Sequence, residues 1–129
     1  MAARDAGLII DSLGNNASMH TSGNNVTVSA SISPSSGSTR MMLTNIPWSV
    51  KNMTAAAATV SLNVRDSSIG GTLRASWDIV VATNSSLQDS FMVNIKGLRG
   101  QAINVDFGLP ASSVNCKVTA VGWEERSSV

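Results

Sequence analysis

Charge is scarce in this chain. Asp, Glu, Lys and Arg make up 13% of its 129 residues, about half the roughly 25% usual in soluble domains. Nine basic and eight acidic residues are spread along the sequence and leave a formal charge of +1. Without a basic tail or block, a protein that grips nucleic acid through its phosphates is disfavoured, and no nucleic-acid partner is expected. Two conditions account for so little charge: a surface of Ser, Thr and Asn, or burial of much surface against partner chains, whose contact cores are depleted in charge.

Cysteine and histidine each occur once. Lone Cys116 excludes an intramolecular disulfide framework, and its parity with Val114 and Val118 marks it as a small core hydrophobe. Lone His20 lies in an Asn/Gly/Ser-rich tract, and no Ser stands in a nucleophile-elbow sequence, so a Ser-His-Asp site is excluded. One His and one Cys make no zinc set, and no Asp-rich calcium loop occurs. No metal or cofactor is expected. The carboxylates that could form an acid and base pair are Asp78, Asp89, Asp106 and the Glu124-Glu125 end. Asp78 and Asp106 fall at outward strand positions near cations such as Arg74 and Lys96, where charge pairing on a solvated face explains them. The chain is expected not to be an enzyme.

Long apolar runs are also missing. No stretch approaches the ~18 residues of a membrane-spanning helix, so membrane insertion is not expected. The run Leu8-Ile9-Ile10 is too short for a signal peptide, and none is expected in this chain. What the run offers instead is an edge strand or an arm that docks on a neighbour. The domain plan expected is an N-terminal arm or edge segment over 1–25 and one folded domain over 26–129.

What is present is alternation. In 71–82, Leu73, Ala75, Trp77, Ile79 and Val81 share one parity, while Thr72, Arg74, Ser76 and Asp78 share the other. This stretch is expected to be the central strand of a half-buried antiparallel sheet. Val26 to Ile32, Val60 to Val64, Phe91 to Ile95, Ile103 to Phe107 and Val114 to Trp123 alternate in the same way. Met41-Met42-Leu43 is a further short strand that Ile46-Pro47-Trp48 should interrupt, because Pro lacks a ladder donor. Asp66 to Gly71 predicts a hairpin between about 59–65 and 72–82. The polar run 83–90 is expected to cross between sheets, and Gly97-Leu98-Arg99-Gly100 to be a hairpin turn. Four alanines over 55–58 cannot carry a helix. Seven or eight strands without an amphipathic helix predict an all-β antiparallel β-sandwich, Ig-like Greek key or jelly roll, with an extended N-terminal arm.

The remaining signals are weaker. The GxxG of 97–100 joins strands, not the helices of a nucleic-acid-clamping KH loop. Arg65, Arg74, Lys96 and Lys117 share the outer parity but are interrupted by Asp78 and Asp106, which describes a mixed solvated surface. Asn16, Asn25, Asn52 and Asn84 open Asn-X-Ser/Thr sequons at about the number chance predicts. Trp77 has inward parity. Trp48 and Trp123 are the candidates for an interface or ligand platform, since aromatics are enriched in both settings.

By exclusion, the expected function is that of a structural or assembly protein acting as a symmetric homo-oligomer, a trimer being favoured. A virion component fits best: a capsid decoration or coat protein, or the head of a tail or attachment fibre. Its partners would be other virion or surface proteins and its location the virion or an extracellular surface. The alternative is a carbohydrate- or receptor-binding β-sandwich, adhesin-like, in which an exposed Trp stacks on a glycan.

Overall fold

The computed structural model describes residues 17–21, 28–68, 70–108 and 113–125. Eight strands run through them: β1 (Ala17–Thr21), β2 (Val28–Ile32), β3 (Arg40–Asn52), β4 (Ala58–Asp66), β5 (Leu73–Val81), β6 (Ser85–Lys96), β7 (Ile103–Phe107) and β8 (Val114–Glu125). They form two four-stranded sheets, sheet A in the order β1-β8-β3-β6 and sheet B in the order β2-β7-β4-β5. Every pairing is antiparallel. Apart from the β4–β5 hairpin, each connection carries the chain from one sheet to the other. That winding is an eight-stranded jelly roll.

The core lies where the inward parities of the two sheets meet. Val28, Ala30 and Ile32 of β2 and Ile103, Val105 and Phe107 of β7 face Leu43, Ile46 and Val50 of β3 and the even-numbered residues of β8. Period-two sequence and period-two burial coincide in β2 and β8 because successive strand side chains leave opposite faces, whereas in β7 the outward Asn104 and Asp106 are buried as well.

Several expectations change in the folded chain. The stretch 71–82 forms β5, which is an edge strand and not the central one. Its only strand partner is β4, so Leu73 stays 50% exposed and only Ile79 and Val81 are buried. The hairpin with β4 is present as expected. β3 does not stop at Pro47. It passes through as a 13-residue interior strand, and its ladder with β8 skips Ile46 and Pro47 while that with β6 continues past them. The polar residues 85–90 belong to β6, leaving only 82–84 to connect the sheets. The turn at 97–100 joins β6 in sheet A to β7 in sheet B, so it is a crossover and not a hairpin. Within the arm or edge segment expected over 1–25, residues 17–21 are β1, an edge strand that pairs with β8 along 116–120. Leu8, Ile9 and Ile10 lie outside the described residues.

Two buried polar side chains, Asn52 and Glu124, tie connections to the ends of the sandwich. Asn52, 1% exposed, donates to the carbonyls of Ala56, Val81 and Ala82 and accepts from the backbone N–H and hydroxyl of Thr54. Its sequon is therefore a buried loop anchor. Glu124, in the supposed charged tail, points inward and is 0% exposed. Cys116 is buried in the core, and desolvation pushes its thiol from 9.0 up to about 11. At neutral pH it is a protonated, apolar group.

The 12-residue edge strand β6 carries features that discourage pairing with another chain. Asp89 is a charged residue on the inward parity, two residues before half-buried Phe91. The register slips between Leu43 and Asn45, which places an extra β6 residue in a bulge at Val93–Asn94. Arg74 reaches from sheet B to donate to the Lys96 carbonyl at 3.0 Å.

Candidate functional site

The outward parity of sheet A can be mapped row by row from the register. One row holds Asn115, Lys51 and Ser86, and the next Lys117, Ser49 and Gln88. Thr119, Pro47 and Ser90 follow, and the far end holds Trp123, Met42 and Lys96, then Glu125 beside Arg40. The alternation that puts valines and isoleucines inside puts these hydroxyls, amides and cations outside.

Two open hollows adjoin on this face. One, of about 430 Å³, is lined by residues that include Pro47, Ser49, Gln88, Ser90, Lys117 and Thr119. The other, of about 370 Å³, shares Ser49, Gln88 and Lys117 and adds Lys51, Ser86 and Asn115. Together they form a trough across β8, β3 and β6 whose floor is largely uncharged hydrogen-bonding groups. The Oδ1 atoms of Asn45 and Asn115 are buried without a hydrogen-bond partner. Buried acceptors of this kind gain free energy when a donor reaches them.

Trp123 is half-buried on this same outer face. It stands four residues from Thr119 on β8, ~13 Å at the usual strand rise. Trp48 borders the 430 Å³ hollow but exposes little of its ring. It is 8% exposed, points into the core and packs against Phe91 at a ring-centroid distance of 5.6 Å. Phe91 in turn packs against Trp77 at 4.9 Å, so those two Trp residues and Phe91 make one aromatic stack between the sheets. The irregular sequence around Pro47 suggested an exposed edge for Trp48, but the uninterrupted strand buries it.

The outer face of sheet B is organised differently. Asp106, 2% exposed, accepts from Arg65 Nε at 3.0 Å and from Asn63 Nδ2 at 3.2 Å, and Ser76 donates to Asn63 Oδ1. Asp78 accepts from Ser61, and Arg74 pairs with Asp66 at 2.8 Å. The carboxylates expected to pair with cations do make polar contacts, though Asp78 bonds a hydroxyl and Asp106 takes Arg65 in place of Lys96. Lys96 pairs with Glu125 at 3.7 Å, as Arg40 does at 3.8 Å. The four outer-parity cations therefore divide between two faces: Arg65 and Arg74 are neutralised on sheet B, while Lys96 and Lys117 lie on sheet A. Among the described residues, no group of three His, Cys, Asp or Glu side chains could hold a metal ion. No described helix is long and apolar enough to cross a membrane.

No protein-family model and no curated protein matches this sequence. Among solved structures, the chain is similar to a ruminal GH26 endo-β-1,4-mannanase, with 12% identity and a TM-score of 0.46 over 85% of this chain and 20% of that one. A CBM4 structure is matched at 10% identity and a TM-score of 0.43, covering 78% of this chain and 61% of that one. A family 6 carbohydrate-binding module is matched at 25% identity and a TM-score of 0.40, covering 81% and 70%. The chain thus spans a small part of the mannanase and under two thirds of the CBM4 chain. What this chain binds has to come from its own side chains.

Proposed function

We propose that this chain is a non-enzymatic binding module that holds a saccharide on the outer face of sheet A. The observation that carries this function is the pair of adjoining hollows over β8, β3 and β6, floored by Ser49, Ser86, Gln88, Ser90, Asn115 and Thr119. Sugar hydroxyls exchange hydrogen bonds with such amides and hydroxyls, and the apolar face of a sugar ring packs on an indole. Trp123 supplies that indole at one end of the face. Of the two Trp residues singled out in the sequence, it is the one the fold leaves accessible.

Affinity electrophoresis of the whole chain through gels containing soluble glucans, mannans, xylans and uronate polymers tests this function. At least one polymer should retard the protein, and Trp123→Ala should weaken that retardation by about tenfold, the loss of ~1.4 kcal/mol. Unchanged mobility across all the polymers would refute saccharide binding.

A second role, as a virion component working as a symmetric homo-oligomer on the virion or an extracellular surface, is favoured by the strand order. The two-sheet jelly roll is shared by capsid and lectin domains, and the low charge content suits extensive contact with other chains. Light scattering at tens of micromolar should then give a multiple of the 13.4 kDa chain mass, a trimer by preference. A monomeric mass would remove this role and leave the saccharide function intact.

A further inference from the structure

The charges on the two sheets are unequally shared, and the inequality bears on which saccharide the trough accepts. Among the described residues, the outer parity of sheet A carries Arg40, Lys51, Lys96 and Lys117 against a single carboxylate, Glu125. Glu125 lies at the Trp123 end, where it pairs with both Arg40 and Lys96. The trough end is left with Lys51 and Lys117, both exposed and neither in an ion pair with a described residue. Both line the 370 Å³ hollow, and no carboxylate lines it with them. In the neighbouring hollow the one acid is Asp89, whose Oδ1 already accepts from the Ser90 N–H.

Lys51 stands opposite Asn115 and Lys117 opposite Ser49, so the two lysines are diagonal neighbours on adjacent strands, ~7–8 Å apart, and can meet two negative groups along one extended ligand. We infer that the trough takes an anionic polysaccharide, one bearing carboxylate or sulfate groups, with Lys51 and Lys117 as its charge contacts. This rests on the saccharide function proposed above and specifies its ligand class. Nucleic acid is the other polyanion of suitable charge. Single strands, however, are held by stacking bases on aromatic side chains, and the one aromatic residue that lines either hollow, Trp48, is buried. The hydroxyls and amides that flank the lysines, Ser49, Ser86, Gln88 and Asn115, suit the sugar hydroxyls of a uronate or sulfated chain.

The test is affinity electrophoresis of the whole chain with four probes: polygalacturonate, heparin, a neutral galactan and a single-stranded oligothymidylate. Polygalacturonate or heparin should retard the protein more than neutral galactan does, less so as salt rises. Which of the two is stronger distinguishes carboxylate from sulfate recognition. The double variant Lys51→Gln/Lys117→Gln should lose about tenfold or more in affinity for the anionic probe. The variant Arg74→Gln/Arg99→Gln, with the same change in net charge and with Arg74 on the opposite sheet, should lose less than about threefold. Equal losses in both double variants would mean diffuse attraction and overturn the site. Retention by galactan alone, unaffected by the lysine changes, would overturn the anionic ligand while keeping the saccharide function. Tighter binding of oligothymidylate than of either polyanion at equal salt would overturn it in favour of nucleic acid. Thermal melts check folding, which exposed lysines without described ion pairs should leave unaltered.

Discussion

Replacing Glu124 by Ala is expected to destabilise the fold by about 4 kcal/mol, the combined cost of a buried cavity and of several donors left without an acceptor. Glu124 is fully enclosed and accepts from the Ser35 N–H at 2.7 Å and from the Ser35 hydroxyl at 2.7 and 2.9 Å. It also accepts from the Thr39 hydroxyl. These donors bracket the β2–β3 connection, so the carboxylate ties the loop after β2 to the end of β8. Ala would leave a cavity and strand several donors away from water. Gln keeps one acceptor oxygen but turns an NH₂ toward a donor, and about 2 kcal/mol is expected for it. Glu125→Ala, one residue on, should cost under about 1 kcal/mol because its ion pairs are long and partly exposed. Urea denaturation of the three variants measures these differences. A Glu124→Ala midpoint matching that of Glu125→Ala would show that the buried contacts contribute nothing. For a domain of this size 4 kcal/mol is a large share of a total of roughly 5–15 kcal/mol.

Gly122→Ala is the other severe change, with an expected cost of about 3 kcal/mol or more. A methyl group built on Gly122 would lie 2.1 Å from the Met42 carbonyl oxygen and 2.8 Å from Ile32 Cδ1. The first obstacle is backbone, which cannot rotate aside as a side chain can. The clash falls where β3 slips against β8, with Leu43 opposite Gly122 and Asn45 opposite Val121. The β3 bulge presses one strand onto the other, and glycine is the residue that admits it. Gly108→Ala serves as the comparison, since nothing stands within 4 Å of the added carbon. If Gly122→Ala and Gly108→Ala melt within a few degrees of each other, the close approach is not real. Expression should reveal the effect before any melt does.

Much of the strand content was legible because burial follows parity. The alternation in β2, β4, β7 and β8 names their core residues without further information, and inward Cys116 follows by the same rule. Local sequence misled where it was taken to end a strand. Pro47 looked like a break, and Ser85 to Ser90 looked like a loop because nothing in them alternates between apolar and polar. Both are strand, because neighbouring β3 and β6 hold each other in register over ten pairs. Trp48 was misplaced for the same reason, since a residue beside a supposed break was given to the surface. Trp123 could be placed by parity alone, since it falls outside the inward series of Val114, Cys116, Val118 and Ala120.

The sequence by itself therefore determined the class of fold and the inward faces of most strands. Period-two patterning is a local property. Only the tertiary structure decided which strands are neighbours. That choice moved the stretch 71–82 from the expected centre of a sheet to its edge. It turned a presumed charged tail into a buried carboxylate and a sequon into a loop staple. Strand order also divided four same-parity cations between two opposite faces. Parity says in or out, whereas the sheet a residue faces out from depends on contacts between strands up to about a hundred residues apart, such as β1 with β8. The trough on sheet A exists because β8, β3 and β6 lie side by side, an adjacency that no local pattern encodes.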